Sequence, residues 1–249
     1  MRCALLSDIH GNLPALEAVL DAIEGQGISA IYHIGDLVGY APWPNEVVTL
    51  LAEWDVSGVA GNYDSTVATD YAHCGCKYED AVQAEQAHVS YEWTRAHCSE
   101  ATKAFLGALP FRLDVRPLGG HINGPRIILI HGNAILNTVY WTEDRPDSFA
   151  MQQAQHLGAK AGDVIAFGHT HKPWYKEIEG IHFVNTGSVG RPKDGDWRAG
   201  YVVLDFSNSP VTVAFERVDY DVQSAMDAIH TSELPNAFAE YLRTGGEPA

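Results

Sequence analysis

The sequence predicts an α/β fold in which a helix-covered parallel sheet is joined by a second sheet built from later strands. Three observations carry this. The first 62 residues alternate strand, helix, strand, helix, strand, the pattern of a parallel sheet covered on both faces. The later apolar runs follow one another closely, which predicts antiparallel pairing in a second sheet. The 249 residues suit one α/β domain, and a core of this size needs no disulfide staples.

The elements follow in order. Cys3 to Ser7 is a short apolar run and the first strand. Leu13, Leu16, Val19, Leu20 and Ile23 then recur at helical spacing, with Asn12 at the N-cap position and Pro14 in the first turn. Ala30 to Ile34 is the second strand, Pro44 to Glu53 a short helix, and Val56 to Ala60 the third strand. Thr66 to Pro110 breaks the alternation and reads as a helical insertion over one end of the core. Its helices are expected over Glu79 to Ala96 and from a Ser99 cap through Leu109. Strands return at Ile127 to Ile130, Val164 to Phe167, Ile181 to Val184, Tyr201 to Leu204 and Val211 to Phe215. Ser148 to Leu157 reads as a helix, Asp221 to Arg243 as one or two closing helices, and Thr244 to Ala249 as a loose tail.

Charge narrows the function classes. With 32 acidic against 16 basic side chains the formal net charge is −16, which argues against duplex nucleic acid or an anionic membrane as the main partner. A phosphate substrate would need a strong local positive centre. No apolar run is long enough to span a bilayer, and the N-terminus enters a strand without signal-peptide architecture, so a cytoplasmic location is expected. The four cysteines, Cys3, Cys74, Cys76 and Cys98, are expected to be reduced, small buried side chains. A zinc site at Cys74 and Cys76, with His73, His97 and Cys98 near in sequence, is disfavoured because the spacing is Cys-x-Cys. Oligomeric state is not legible in the chain.

Five polar motifs stand immediately after five apolar runs: Asp8-Ile9-His10, Gly35-Asp36, Gly61-Asn62-Tyr63-Asp64, His131-Gly132 and Gly168-His169-Thr170-His171. Strand ends on one side of a parallel sheet form the crevice where ligands bind, so these distant residues would meet. Two carboxylates, one amide oxygen and four imidazoles are the donors that hold borderline metals such as manganese, iron, zinc, nickel or cobalt. They divide into two overlapping sets. Asp8, His10, Asp36 and His171 would hold one ion, and Asp36, Asn62, His131 and His169 the other, with Asp36 bridging. Gly35, Gly61, Gly132 and Gly168 are expected to permit tight turns at each strand exit. Each fragment alone is common; all five in this order, each at a strand end, are not.

On these motifs the sequence resembles the calcineurin-like metallophosphoesterase superfamily, over most of its length. Asp8-Ile9-His10-Gly11-Asn12 and Asn185-Thr186-Gly187-Ser188-Val189-Gly190 resemble its smaller bacterial phosphodiesterase branch. The resemblance implies a two-sheet sandwich flanked by helices, the same partition of ligands, and hydrolysis of a phosphate ester, a phosphodiester or nucleotide first. Two divalent ions would activate a water between them; with Asp8, Asp36 and a bridging hydroxide the centre keeps a charge of about +1, enough to attract phosphate to an acidic protein.

The departure is Tyr63, where the family has a histidine that protonates the leaving group. A phenol titrates near ~10 and matches that task poorly, so Tyr63 is either a hydrogen-bond donor or a packing residue. Asn62, Tyr63 and Asp64 are the candidate catalytic residues, Asp64 orienting Tyr63 or His131. Asn12, Asn62 and Arg191 are the candidate substrate contacts, Asn12 being equally suited to a helix cap. His33 reads as a core residue, and His73, His88, His97, His121, His156, His182 and His230 receive no role. Tyr71, Tyr78, Tyr91 and Trp93 could stack a base or fill the core, and Trp141 and Trp174 are candidate rim residues. The alternatives are a non-catalytic metal-binding scaffold of the same fold, and a phosphomonoesterase or protein phosphatase. A zinc hydrolase of acyl or thioester bonds is remote, because its His-x-His-x-Asp-His run is absent.

Overall fold

The apolar run that opens the chain becomes β1 (Arg2–Leu6), and α1 (Leu13–Gly25) follows with Asn12 as its N-cap, the side chain accepting from the Ala15 amide. β2 (Ala30–His33), α2 (Pro44–Glu53) and a third strand, β3 (Ser57–Gly58), complete the alternation. β3 is shorter than the sequence suggests. This computed structural model describes residues 1–77, 80–117, 124–207 and 210–246. Glu79 as a helix start, Tyr78, His121 and the end of the tail lie outside the described residues.

Two sheets of five strands are present among the described residues. The first runs β10-β9-β1-β2-β3, where β9 spans Ala199–Asp205 and β10 spans Thr212–Val218. The second runs β4-β5-β6-β8-β7, from Arg112–Val115, Ile127–Ile130, Val164–Phe167, Ile181–Asn185 and Trp174–Ile178. An α/β sandwich with helices outside is the result.

The expected antiparallel second sheet is corrected. β5, β6 and β8 are mutually parallel, and antiparallel pairs occur only at the edges, β4 and β7. β5 and β6 are buried at every position, the mark of parallel strands covered on both faces. α6 (Asp147–Leu157) lies between them in sequence, as a parallel crossover requires. β9 and β10 return to the first sheet, antiparallel to β1 and to each other. β4 and β7 carry charged and polar residues, so no apolar run announced them.

Residue alternation sorts the core into layers. Cys3, Leu5, Ile34, Ile127, Leu129, Val164, Ala166 and Val202 pack between the sheets. Ala4, Leu6 and Ile31 face the other way, toward α1, α2 and the closing helices α7 (Val222–Thr231) and α8 (Ala237–Thr244). Ile128, Ile130, Ile165 and Phe167 face α6 and the edge-to-face rings of Trp141 and Trp174. α3 (Asn62–Ala68) leads into the insertion, which supplies α4 (Ala81–His97) and α5 (Glu100–Ala108). Asn62, a candidate ligand, opens α3.

The cysteine expectation is also corrected. Cys3 and Cys98 are free and buried, but Cys74 and Cys76 are joined to each other, with their Cα atoms 5.4 Å apart. Gly75 between them has φ +74°, a left-handed turn that brings the two sulfurs to one side. No helix among the described residues is long and apolar enough to cross a membrane.

Candidate metal centre

Six of the seven candidate ligands stand on loops leaving β1, β2, β5 and β6, and the seventh, Asn62, follows β3 at the head of α3. The backbone there is unusual. Asp8, His10, Asp36, His169 and His171 have φ of 51°, 50°, 53°, 67° and 59°. Left-handed conformation costs an L-residue roughly 1–2 kcal/mol, and such strain concentrates at functional sites. The flanking glycines serve a different purpose from the one expected. Gly35 does need its positive φ. At Gly61 and Gly168, however, a Cβ would collide with the Asp36 and Asp8 carboxylates respectively. Those glycines let one strand exit lie against the next.

The side chains form two buried triads, Asp8–His10–His171 and Asp36–His131–His169. In the first, His171 Nε2 is 3.3 Å from Asp8 and His10 Nε2 3.8 Å. In the second, His131 Nε2 is 3.4 Å from Asp36. Asp36 also reaches the first triad, 3.8 Å from His10 Nε2, the place of a shared ligand. Three rings are oriented by carbonyls: Nδ1–H of His10, His131 and His171 donates to Val38, Ile34 and Arg191 oxygens at 3.0, 2.7 and 2.6 Å. A carbonyl only accepts, so each Nδ1 keeps its proton and each Nε2 faces the site, as a lone pair wherever the ring is neutral.

Charge differs between the triads. Burial holds His10 down to about 3 and His171 well below its usual range, so both are neutral. Burial also raises Asp8 to about 7, with Asp36 adding to the effect. Burial opposes the charged forms of Asp36 and His131 too, but each outweighs that cost for the other. Asp36 is held below its ordinary range and His131 is raised to about 10. His169, buried beside the charged His131, falls to about 3.

The donor set fits divalent ions. His10 Nε2 and His171 Nε2 stand 3.1 Å apart with both Nδ1 protons already committed, so two lone pairs face each other. Asp8 Oδ1 and His169 Nε2 are buried without a hydrogen-bond partner among the described residues. A cation satisfies all four atoms at once.

Residues 1–209 match the model of the calcineurin-like phosphoesterase superfamily domain. The chain belongs to that superfamily. It is 31% identical to the protein MJ0912 of Methanocaldococcus jannaschii over 257 residues, covering 97% of each chain. It is 27% identical to the phosphodiesterase YfcE of Escherichia coli K12 over 215 residues, 82% of this chain and 88% of that one. A metallophosphoesterase crystal structure from Sphaerobacter thermophilus superposes with a TM-score of 0.77 at 26% identity, over 98% of this chain and all of that one (100%). Within the superfamily the chain resembles the small, YfcE-like phosphodiesterase branch.

Among the superfamily's motif positions, Asn62 is aimed by the insertion. Its Nδ2 donates to the Cys74 carbonyl at 3.1 Å and to Cys76 Sγ at 3.2 Å, leaving Oδ1 3.2 Å from His131 Nε2. Asp64 differs from expectation. It accepts from the amides of Asp36, Leu37 and Gly61 at 2.7, 2.9 and 2.9 Å, so it shapes the Asp36 loop rather than orienting Tyr63 or His131. The Tyr63 ring is 1% exposed and packs against His10, Tyr40 and Tyr91. Its backbone amide donates to Asp36 at 2.9 Å. Asn12 spends its side chain on the α1 cap and on donating to Gly190 O and Tyr220 Oη, so it does not front the crevice. His33 is buried in the sheet, as expected of a core residue, and burial lowers it to about 3.

A cavity of about 440 Å³ lies beside the triads. Thr170, between two candidate ligands, lines it, as do Tyr40 and Tyr140, whose rings lie 4.9 Å from His10 and 4.2 Å from His169. Arg191 is there, its guanidinium 4.0 Å over the Tyr40 ring. The base-stacking candidates among the described residues are not: Tyr91 is buried, and Tyr71 and Trp93 lie off the cavity. Trp141 and Trp174, expected on the rim, are 1% and 6% exposed and belong to the core under the second sheet. Lys77, Lys172 and Lys193 also line the cavity and were missed. The available signal was position: Lys172 follows His171, and Lys193 follows Arg191-Pro192.

Proposed function

We propose that the chain is a dinuclear-metal phosphoesterase that hydrolyses a phosphate ester, a phosphodiester or nucleotide first. The facing lone pairs of His10 and His171, beside a second triad that shares Asp36, carry this reading. Asp8, His10, Asp36 and His171 would hold one ion; Asp36, Asn62, His131 and His169 would hold the other. When bound, the ions supply Lewis-acid activation of water and neutralise charge on the phosphoryl oxygens. Asn62 turns its carbonyl inward because the Cys74–Cys76 loop holds its amide nitrogen. Arg191, with a buried Nε that has no partner among the described residues, is the side chain available to hold a phosphoryl oxygen.

Hydrolysis adds water oxygen to phosphorus, breaks the P–O ester bond, and sends a proton to the departing oxygen. Tyr63 is buried in an aromatic cluster, so that proton comes from solvent. Nitrophenyl esters, which leave without help, are therefore turned over faster than alkyl esters. A panel of manganese, iron, zinc, nickel and cobalt against bis(4-nitrophenyl) phosphate tests the proposal. Metal-dependent turnover, lost in Asp36→Asn, is expected. Stoichiometric metal binding without turnover of any diester, monoester or nucleotide would instead make the chain a scaffold.

A further inference from the structure

We infer that the cavity beside the triads is a subsite for a second phosphoryl group, so that the preferred substrates carry another phosphate beyond the one attacked. The inference rests on the proposed phosphoesterase reading but concerns a different part of the site.

The argument starts from charge. Acidic side chains outnumber basic ones two to one, 32 to 16, so a cation without a carboxylate neighbour is unexpected on this surface. Elsewhere seven basic residues are paired with carboxylates. Arg95, Lys103, Arg112, Arg126, Arg198, Arg217 and Arg243 each meet an Asp or Glu. Four others, Lys77, Lys172, Arg191 and Lys193, meet on one cavity, and none of them forms an ion pair among the described residues. Burial, with repulsion from Arg191 and Lys172, lowers Lys193 to about 7 against the pull of Asp8 and Asp36, the two candidate metal ligands, so an anion in the cavity would hold it charged.

Three separate parts of the chain supply these cations. Lys172 extends the His169–His171 loop, Arg191 and Lys193 come from the turn after β8, and Lys77 stands on the insertion. The second of these is tied to the first by two hydrogen bonds: the Lys193 amide donates to the His171 carbonyl at 3.3 Å, and the His171 side chain donates from Nδ1 to the Arg191 carbonyl. The charges are therefore held in fixed register with the triads. An internal positive cluster costs stability through self-repulsion unless a ligand neutralises it. Divalent ions and Arg191 can serve the phosphoryl group under attack; three lysines remain. Their compact ammonium groups suit the oxygens of a further phosphate.

A binding experiment separates this inference from the question of turnover. The affinities of orthophosphate and pyrophosphate for the metal-loaded full chain are measured by calorimetry. Wild type is expected to favour pyrophosphate by about tenfold or more, with the preference shrinking as salt is raised. Lys172→Gln/Lys193→Gln should abolish that preference without lowering the melting temperature, and Lys77→Gln, on the insertion, should weaken it. Turnover of a dithymidine phosphodiester with and without a 5′-phosphate gives the kinetic counterpart, with kcat/KM higher for the phosphorylated form. Equal affinity for the two anions in wild type, or a preference that survives in the double variant, overturns the inference. A chain that hydrolyses nothing yet keeps the lysine-dependent preference would overturn the phosphoesterase reading alone.

Discussion

The two triads have the same composition, one carboxylate and two imidazoles, yet they are built on different supports. Asp8, His10 and His171 all sit on strand exits of the two sheets, pressed together by Gly168 and clamped by backbone bonds such as His10 N to Asp36 O at 3.0 Å. Asp36, His131 and His169 have similar strand-exit support, but their fourth candidate ligand, Asn62, belongs to α3 and is aimed by the cysteine loop of the insertion. Charge separates them as well. The first triad is nearly free of internal ion pairing, its imidazoles neutral, whereas Asp36 and His131 neutralise each other. Asp36 belongs to the second triad but also lies 3.8 Å from His10 Nε2 of the first. The first site is thus framed by the sheets alone, and the second partly by a helical insertion.

The largest expected effect tests the shared carboxylate. Asp36→Asn should remove both ions and lower activity by more than about a hundredfold, beyond what loss of a supporting hydrogen bond costs. Asp8→Asn should remove only the first. Metal content by mass spectrometry, with two equivalents falling to none in one variant and to one in the other, checks this. Equal losses in the two variants would end the distinction between a shared and a private carboxylate.

Next is the coupling to protons. In the metal-free chain Asp8 is raised to about 7 and His131 to about 10. Both must give up their protons to bind a metal. At pH 7 His131 is therefore charged and Asp8 about half protonated, and metal uptake should release between one and two protons. Affinity should rise with pH up to about 10 at the site holding His131, and level off above about 7 at the site holding Asp8 alone. Calorimetric titrations in buffers of different ionisation heat measure the proton count. An uptake of protons, or none at all, would contradict the charge difference between the triads.

Asp64 shows where the second site gets its rigidity. Asp64→Ala leaves three buried amides, those of Asp36, Leu37 and Gly61, without an acceptor. At about 1–3 kcal/mol for a buried unsatisfied group, offset by relief of a desolvated carboxyl, a loss of roughly 2–4 kcal/mol is expected. Thermal unfolding of the variant, alongside its metal content, reads this directly. Tyr63→Phe, by contrast, keeps the ring in its cluster with His10, Tyr40 and Tyr91, and should change the rate on nitrophenyl and alkyl esters by less than about threefold. A selective loss on alkyl esters would restore the phenol as a proton donor.

The sequence made the sheet-framed part of this centre legible and the insertion-framed part obscure. Asp8, His10, Asp36, His131, His169 and His171 could be found because apolar runs mark strands and strand exits converge. What Asn62 and Asp64 do depends on contacts across the fold, with Cys74, Cys76 and the Asp36 loop, which no local pattern encodes. Strand direction was misread for a similar reason. β4 and β7 are edge strands with polar residues, and without them the remaining runs looked like successive hairpins. Trp141 and Trp174 were placed on the rim by proximity to motifs, whereas their size drove them beneath the second sheet. Lys172 and Lys193 were invisible because a lone lysine beside a motif looks like any solvated charge; only their convergence distinguishes them.

A further small effect probes the insertion's grip on the second site. Replacing Cys74 and Cys76 with serine removes their link and the sulfur that accepts from Asn62, but keeps the Cys74 carbonyl as an acceptor. One of two bonds aiming the amide is weakened and none of the ligands is touched. A supporting bond next to a metal ligand is worth 10–100-fold when lost outright, so a partial loss should lower affinity for the second ion by less than about tenfold. The first ion, framed by strand exits alone, should bind as before. A titration that resolves the two binding steps reads both constants from one sample. If both weaken together, the insertion supports the whole centre rather than one half of it, and the Cys74–Gly75–Cys76 loop acts through the shared Asp36 rather than through Asn62.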